Sequence, residues 1–125
     1  MDTVILTNFK LLEVDIMVKW DELTNSQKNE LIAEKVFGWI KKEEGNWYQI
    51  DNEKTEKLLL TLPLFSTDPA TIWLILDQFD SYQITKMFPE NYRTIIQANK
   101  NVGYSLELND SVCKAALMAV GIKVN

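Results

Sequence analysis

The stretch Ser66-Thr67-Asp68-Pro69-Ala70-Thr71-Ile72-Trp73-Leu74-Ile75-Leu76-Asp77-Gln78-Phe79 predicts a helix over 69–79, and we expect the fold to be organised around it. Three side-chain oxygens at its start can accept the free N–H groups of a first turn, and Pro69 suits the first helical position. An apolar face then follows at helical spacing: Ile72, Ile75, Leu76 and Phe79. Because Trp73 and Leu74 extend the apolar surface beyond that face, we expect a central helix.

Two further helices are predicted on either side of this one. The first covers 25–37, because Thr24-Asn25-Ser26-Gln27 has the form of a capping box and Gly38 is a natural left-handed stop. The last covers 110–120, with Asn109 as its cap and Gly121 as its stop. Its inner face consists largely of small residues, which would let the helix lie close to a sheet: Val112, Ala115, Ala116, Ala119 and Val120.

Strand patterns fill the segment before the central helix. Strands over 39–42 and 47–50 flank Glu43-Glu44-Gly45-Asn46, which predicts a hairpin with Gly45 at a positive-φ position. Residues 51–57 are interpreted as a polar crossover, with a helical turn as the alternative. Pro63 demotes any strand in the apolar run that follows to a sheet edge.

Three more strands are predicted after the central helix, over 82–88, 92–98 and 102–108. The last of them has the cleanest apolar and polar alternation in the chain. Short turns between consecutive strands indicate an antiparallel meander. The order is therefore α-β-β-α-β-β-β-α, which predicts an α+β sandwich: a mainly antiparallel sheet packed with three helices.

We expect a single α+β sandwich domain over 25–125, preceded by an N-terminal extension over 1–24 whose order the pattern leaves open. Val4-Ile5-Leu6 fits a short strand, and Met17-Val18-Lys19-Trp20 is typical of a translation start. Termini are often disordered unless another part of the chain holds them.

Composition excludes several classes of site. The chain of 125 residues has one Cys and no His, so it can form neither an internal disulfide nor a zinc cluster of Cys and His. No apolar run approaches the ~20 residues that span a bilayer, and a basic signal segment is absent from the start. We therefore expect a cytoplasmic protein without membrane contact.

The charge balance is acidic. With 13 Lys and Arg against 18 Asp and Glu, the formal net charge is −5, and Arg93 is the only arginine. Binding to a nucleic-acid backbone needs a basic face that releases counterions. The sequence thus predicts no strong nucleic-acid binding, and it offers one residue that can form a two-pronged contact with a phosphate or carboxylate.

Two sets of side chains are candidates for chemistry, each with a structural interpretation. The first set consists of aromatic residues that could form a platform for stacking a base: Trp39, Trp47, Tyr48 and Trp73. The favoured interpretation is that they lie in the core or on a half-buried sheet face. Cys113 has no histidine to activate it and lies in an apolar helix, which favours a buried structural thiol.

Three pairs of carboxylates could bind Ca²⁺ or Mg²⁺ or perform acid–base chemistry: Glu43 with Glu44, Asp51 with Glu53, and Asp77 with Asp80. The favoured interpretation is that these residues mark turns and helix ends. Phosphate-cradling glycine loops and catalytic triads are absent from the sequence. We therefore assign no catalytic, cofactor-binding or metal-ligating residue and expect no cofactor.

Three segments resemble landmark motifs of one family. Residues 32–39 (Ile-Ala-Glu-Lys-Val-Phe-Gly-Trp) resemble the end of its first helix, 64–73 its turn into a Trp-bearing helix, and 112–120 its closing helix. On these segments the chain resembles the phage ABA-sandwich domain family, small proteins encoded by phages and prophages. Phe65 stands where that family usually has Tyr, and Pro69 is an addition. The resemblance implies a sandwich fold and a phage context, and no reaction.

Function hypotheses from three classes remain. The resemblance and the acidic charge favour a phage- or prophage-encoded accessory protein in the host cytosol, not an enzyme, that acts through protein contact with a host component or by self-association. The strand Val102-Gly103-Tyr104-Ser105-Leu106 is the best candidate for such a contact. The alternative is a protein that binds or sequesters a small nucleotide, with Arg93 and a nearby lysine at its phosphate. A nucleic-acid-binding module is the least favoured.

Overall fold

The computed structural model describes residues 17–87, 89, 91–97 and 101–125, so the predicted strand Val4-Ile5-Leu6 lies outside the described residues. The fold class is confirmed as α+β. The described helices are α1 (Asn25–Lys35), α2 (Ile72–Leu76) and α3 (Leu108–Ala119). The strands are β1 (Ile40–Lys41), β2 (Trp47–Ile50), β3 (Glu56–Leu59), β4 (Tyr82–Met87), β5 (Asn91–Ile96) and β6 (Asn101–Ser105).

Two three-stranded antiparallel sheets alternate with the helices in the order helix, three strands, helix, three strands, helix. The first sheet has the strand order β1-β2-β3, and the second has the order β4-β5-β6. The expected meander is therefore present. Its last strand ends at Ser105, earlier than predicted, because Leu108 already begins α3.

The first helix and hairpin follow their local signals. Thr24 and Gln27 form the predicted capping box at the start of α1, with hydrogen bonds of 2.8 and 3.1 Å. Gly38 and Gly45 have φ values of 73° and 95°, which a residue with a Cβ adopts at a cost. These short-range signals place the end of α1 and the β1–β2 turn.

The strand β3 occupies part of the segment that the sequence suggested was a polar crossover. It pairs antiparallel with β2, in a register that places Leu59 opposite Trp47. A tight turn replaces the crossover, because one oxygen of Asp51 accepts the backbone N–H groups of Glu53 and Thr55 at 2.9 and 2.8 Å. An Asp side chain that bonds its own backbone two residues on is a turn-forming signal.

The central stretch begins as predicted and ends early. Asp68 accepts the N–H of Ala70 at 3.0 Å, and Pro69 opens a 3₁₀ turn, Pro69–Thr71, which runs into α2. The predicted apolar face is buried at its first three members and half-buried at Phe79. Trp73 and Leu74 are 55% and 46% exposed, so only one face of the helix is in the core.

Helix α3 lies against β5 and β6 at very short range. A Cβ on Gly103 would come within 2.2 Å of the backbone oxygen of Ser111, so only glycine fits there. The hydroxyls of Ser111 and Thr94 are 2.8 Å apart, and both residues are buried. The small residues of α3 thus have the effect that the sequence predicted, except that Val120 is 39% exposed and lies off the inner face.

The predicted cap of α3 is wrong. Glu107 is the N-cap and makes no side-chain cap. The Asn109 amide instead donates to the backbone oxygens of Phe65 and Asp68, both at 2.8 Å. Asn29 accepts the N–H of Ser66 at 2.8 Å from the other side. The central turn is therefore held by one asparagine from α1 and one from α3.

The described residues of the N-terminal segment pack against the rest of the fold. Val18 forms a parallel bridge with Val124, and Trp20 in a 3₁₀ turn is fully buried in the core. The predicted division of the chain at residue 24 stays a prediction. None of the described helices is both long and apolar enough to cross a membrane.

Candidate functional site

The four candidate aromatic residues do not share one surface. Trp39 is buried, with its ring 4.7 Å from that of Phe37, which stacks on Phe65 at 5.2 Å. Trp47 and Tyr48 are neighbours in β2 and therefore point to opposite faces of the first sheet. The core interpretation is confirmed for Trp39 and wrong for Trp73, which is 55% exposed because it lies off the buried face of α2. The four residues do not form a single stacking platform.

Cys113 is the buried thiol that the sequence favours. It is fully buried in α3, and its S–H group donates to the backbone oxygen of Phe65 at 3.6 Å. Burial raises the pKa of this thiol well above its ordinary range, with a smaller contribution from the charge of Asp110. Because the thiolate is the reactive form of cysteine, this thiol is unreactive in the folded chain.

Two members of the carboxylate pairs have structural roles. Asp51 forms the turn before β3, and Glu44 accepts the hydroxyl of Tyr48 at 2.6 Å. That hydrogen bond lowers the pKa of Glu44 and raises the pKa of Tyr48. Within residues 17–87, 89, 91–97 and 101–125, no three His, Cys, Asp or Glu side chains lie close enough to hold a metal ion.

The outward face of the first sheet carries an apolar row that crosses all three strands. Ile40, Tyr48 and Leu58 are in cross-strand register, and the first and last are 44% and 48% exposed. Lys42 lies 4.4 Å from the Tyr48 ring centroid and donates to Glu56, which raises the pKa of Lys42. The row is therefore flanked by charges that already have partners.

The inward face of the same sheet opens into a cleft beside α1. We call it the leucine cleft, a cavity of about 440 Å³ lined by Asn25, Ser26, Asn29, Glu30, Trp47, Leu60, Thr61, Leu62 and Leu64. Leu60 and Leu64 are 93% and 56% exposed. Two large apolar side chains thus stand in solvent at the edge of a cavity that another side chain could enter.

A second cavity of about 460 Å³ adjoins the leucine cleft, because both are lined by Glu30 and Trp47. One carboxylate oxygen of Glu30 accepts the indole N–H of Trp47 at 3.3 Å and the ammonium of Lys41 at 3.2 Å. The first of these contacts holds the Trp47 indole against α1, and Trp47 lines both cavities. We call the two cavities together the groove, because both are lined by residues of α1 and by Trp47 of the first sheet.

Arg93 lies apart from this groove, in the middle of β5. It is in register with Thr85 on β4 and Tyr104 on β6. Lys86 is in register with Tyr92, so it points to the opposite face and does not join Arg93. The lysine neighbour that the sequence suggested for Arg93 is thus not provided by β4.

Comparison with solved structures finds a protein of similar fold. The fold resembles that of a phage protein from Bacillus cereus ATCC 14579. Its crystal structure aligns with a TM-score of 0.61 and 23% identity, over 82% of this chain and 93% of that chain. No family model matches this chain, and no curated protein matches it. The likeness shows the fold, and the resemblance to the phage ABA-sandwich family stays a prediction.

Sequence reasoning missed the residues that shape the groove. The sequence places Glu30 in a predicted helix, and it places Leu60 and Leu64 in an apolar run that Pro63 demotes to a sheet edge; neither pattern indicates a cavity. The available signal was Pro63, which disfavours a central strand in this run. The strand β3 already ends at Leu59, so Leu60 and Leu64 lie outside it. Nothing local distinguishes Leu60 from Leu62, which packs against the core.

Proposed function

We propose that this chain is a phage- or prophage-encoded accessory protein, not an enzyme, which acts in the cytosol of a bacterial host by binding another protein. The likeness to a phage protein from Bacillus cereus supports the phage origin. The exposed leucines of the leucine cleft support the protein contact, because clustered exposed apolar side chains commonly mark interaction surfaces.

The observation that carries the proposal is the position of Leu60 next to an open strand edge. Within the described residues, β3 pairs with β2 alone, so its other edge has no strand partner. Leu60 follows the last residue of β3 and is 93% exposed. An extended segment of a partner could add to that edge through backbone hydrogen bonds and place an apolar side chain in the leucine cleft.

Affinity capture with matched variants tests this proposal. Wild-type protein, a Leu60→Asp/Leu64→Asp double variant and a Leu106→Asp control would be used on a Bacillus cereus lysate, since the similar structure comes from that organism. Leu106 is 73% exposed and follows the second sheet, so its variant adds the same charge on another surface. We expect the wild type and the control to retain a partner that the double variant loses.

Light scattering covers the case in which the partner is a second copy of this chain. A wild-type dimer that becomes a monomer in the double variant, and stays a dimer in the Leu106→Asp control, would also support the proposal. All three proteins should unfold within about 0.5 kcal/mol of one another, because the altered side chains are exposed. A monomer that captures nothing, or a partner held equally by all three proteins, would contradict it.

The alternative function, binding of a small nucleotide, uses a different surface. The observation that favours it is the environment of Arg93 on the outer face of the second sheet.

A further inference from the structure

The second sheet has two different faces. Thr94 and Gly103 are buried and face α3, where the Ser111 hydroxyl donates to the Gly103 backbone oxygen at 2.9 Å. Arg93 precedes Thr94 in the strand, so its side chain points to the other face. We call that other face, with Thr85, Arg93 and Tyr104 side by side in register, the Arg93 face.

Arg93 has an unsatisfied buried donor. Its Nε atom is buried without a hydrogen-bond partner, and no described residue forms an ion pair or hydrogen bond with this guanidinium. A buried donor that belongs to a charged group is costly to leave unpaired, so such atoms in folded proteins call for a specific explanation. An anion cannot reach an atom that is enclosed by protein, but the two terminal nitrogens of this guanidinium are not among the buried unpaired atoms and have no described partner. They can present to a phosphate the paired donors that match its oxygens.

The charge distribution around Arg93 fits an anion. Although the chain has 18 Asp and Glu residues, none of the residues of β4, β5 and β6 is Asp or Glu. The charged residues of these strands are Arg93 and Lys86, both cations. An anion that approaches this sheet therefore meets no carboxylate from its strands, although the protein as a whole is acidic.

An aromatic ring stands next to the guanidinium. Tyr104 is 51% exposed and in register with Arg93, so its ring offers an open surface beside the cation. Tyrosine rings stack on the bases of nucleic acids without strong sequence preference. Thr85, on the other side of Arg93, adds a hydroxyl that can donate to a phosphate oxygen.

We infer that the Arg93 face binds a nucleotide, with the phosphate on the Arg93 guanidinium and the base stacked on Tyr104. This site lies on a different sheet from the leucine cleft, so its test stands independently of the capture experiment. The ligand is a small phosphate ester and not a nucleic-acid strand, because a chain of net charge −5 with a single arginine lacks the basic track that a strand requires.

A property of the chain makes this inference directly measurable. Since Arg93 is the only arginine, ¹⁵N-labelled protein gives a single Nε–H resonance, which reports on the proposed site without further assignment. The protein would be titrated with AMP, inorganic phosphate and acetate at constant ionic strength, with sodium chloride as the reference. We expect a saturable shift of this resonance with AMP and a weaker one with phosphate, by about tenfold in affinity, from loss of the stacked base.

Variants separate the two parts of the site. Tyr104→Ala should remove the preference for AMP over phosphate, and Tyr104→Phe should keep it. Arg93→Gln should abolish AMP binding followed through backbone amide resonances. Lys86→Gln is the matched control, because it removes the other cation of these strands from the opposite face. A small change in melting temperature for Arg93→Gln is expected, since the donor that it removes is unpaired.

Three results would overturn the inference. Equal shifts with acetate and AMP would assign the face to a carboxylate group, and no shift with either anion would exclude an oxyanion site. Equal loss of AMP binding in Arg93→Gln and Lys86→Gln would show a general charge effect. None of these results would change the interpretation of the capture experiment on the leucine cleft.

Discussion

The indole of Trp20 donates a 2.9 Å hydrogen bond to Asp110, a residue 90 positions later in the first turn of α3. The ammonium of Lys28 lies 3.5 Å from the same carboxylate oxygen and 5.0 Å from the centroid of the Trp20 ring. Asp110 therefore joins the start of the described chain to α1 and α3 through one partly buried carboxylate.

Replacement of Trp20 by Phe should destabilise the protein by about 1–3 kcal/mol, because the indole donor is lost and buried volume is reduced. Urea unfolding followed by circular dichroism would measure it. Trp73→Phe is the matched control: Trp73 is 55% exposed, so its change should stay within about 0.5 kcal/mol. Equal effects of the two substitutions would contradict a structural role for the Trp20–Asp110 contact.

Replacement of Asn109 by Ala should cost about 1–3 kcal/mol, because the buried backbone oxygen of Phe65 and the partly buried backbone oxygen of Asp68 would lose their amide donor. Asn52→Ala, at an exposed position in the β2–β3 turn, is the control and should be nearly neutral. Denaturant midpoints of both variants would be compared. A neutral Asn109→Ala would mean that water replaces the amide at the central turn.

Replacement of Gly103 by Ala should destabilise by about 1–3 kcal/mol or more, since the new Cβ would meet the Ser111 oxygen at 2.2 Å and the Ala115 nitrogen at 2.8 Å. Both atoms are backbone, so relief requires that α3 move away from the sheet. Gln83→Ala on the exposed edge of β4 is the comparison. Thermal unfolding would measure the pair, and similar melting temperatures would contradict the close approach of α3 and β6.

Cys113 should make stability fall at high pH. The thiol pKa is raised in the folded state by burial, whereas an unfolded thiol ionises near about 8.5. The unfolded chain therefore loses its proton first, and the contribution of this thiol to the free energy of unfolding declines as pH rises above that value. The difference in unfolding free energy between wild type and Cys113→Ala, measured from pH 7 to 10, isolates this effect. A pH-independent difference would contradict it.

Several features of the fold could be predicted from short segments. The capping box at Thr24 and Gln27 and the positive φ of Gly45 are confirmed, because both depend on residues within a few positions of each other. The strand β3 escaped prediction although its turn signal was present in Asp51. The polar residues of that segment suggested solvent exposure, which an edge strand also provides.

The candidate surfaces depended on the tertiary structure. In the sequence, Leu60 and Leu62 belong to the same apolar run and nothing local distinguishes them. In the folded chain, Leu60 is 93% exposed, whereas Leu62 packs against the core. Likewise, the single arginine was visible in the sequence, but the buried and unpaired state of its Nε atom is apparent only in the tertiary structure.

The sequence by itself determined the fold class, the alternation of helices and strands, and the absence of histidine, because these follow from composition and from short-range patterns. The tertiary structure decided that Asn109 holds the central turn instead of capping α3, and that Trp20 belongs to the core. The physical reason is distance along the chain. Hydrogen bonds and burial between residues that lie 41 to 90 positions apart exist only when the whole chain has packed.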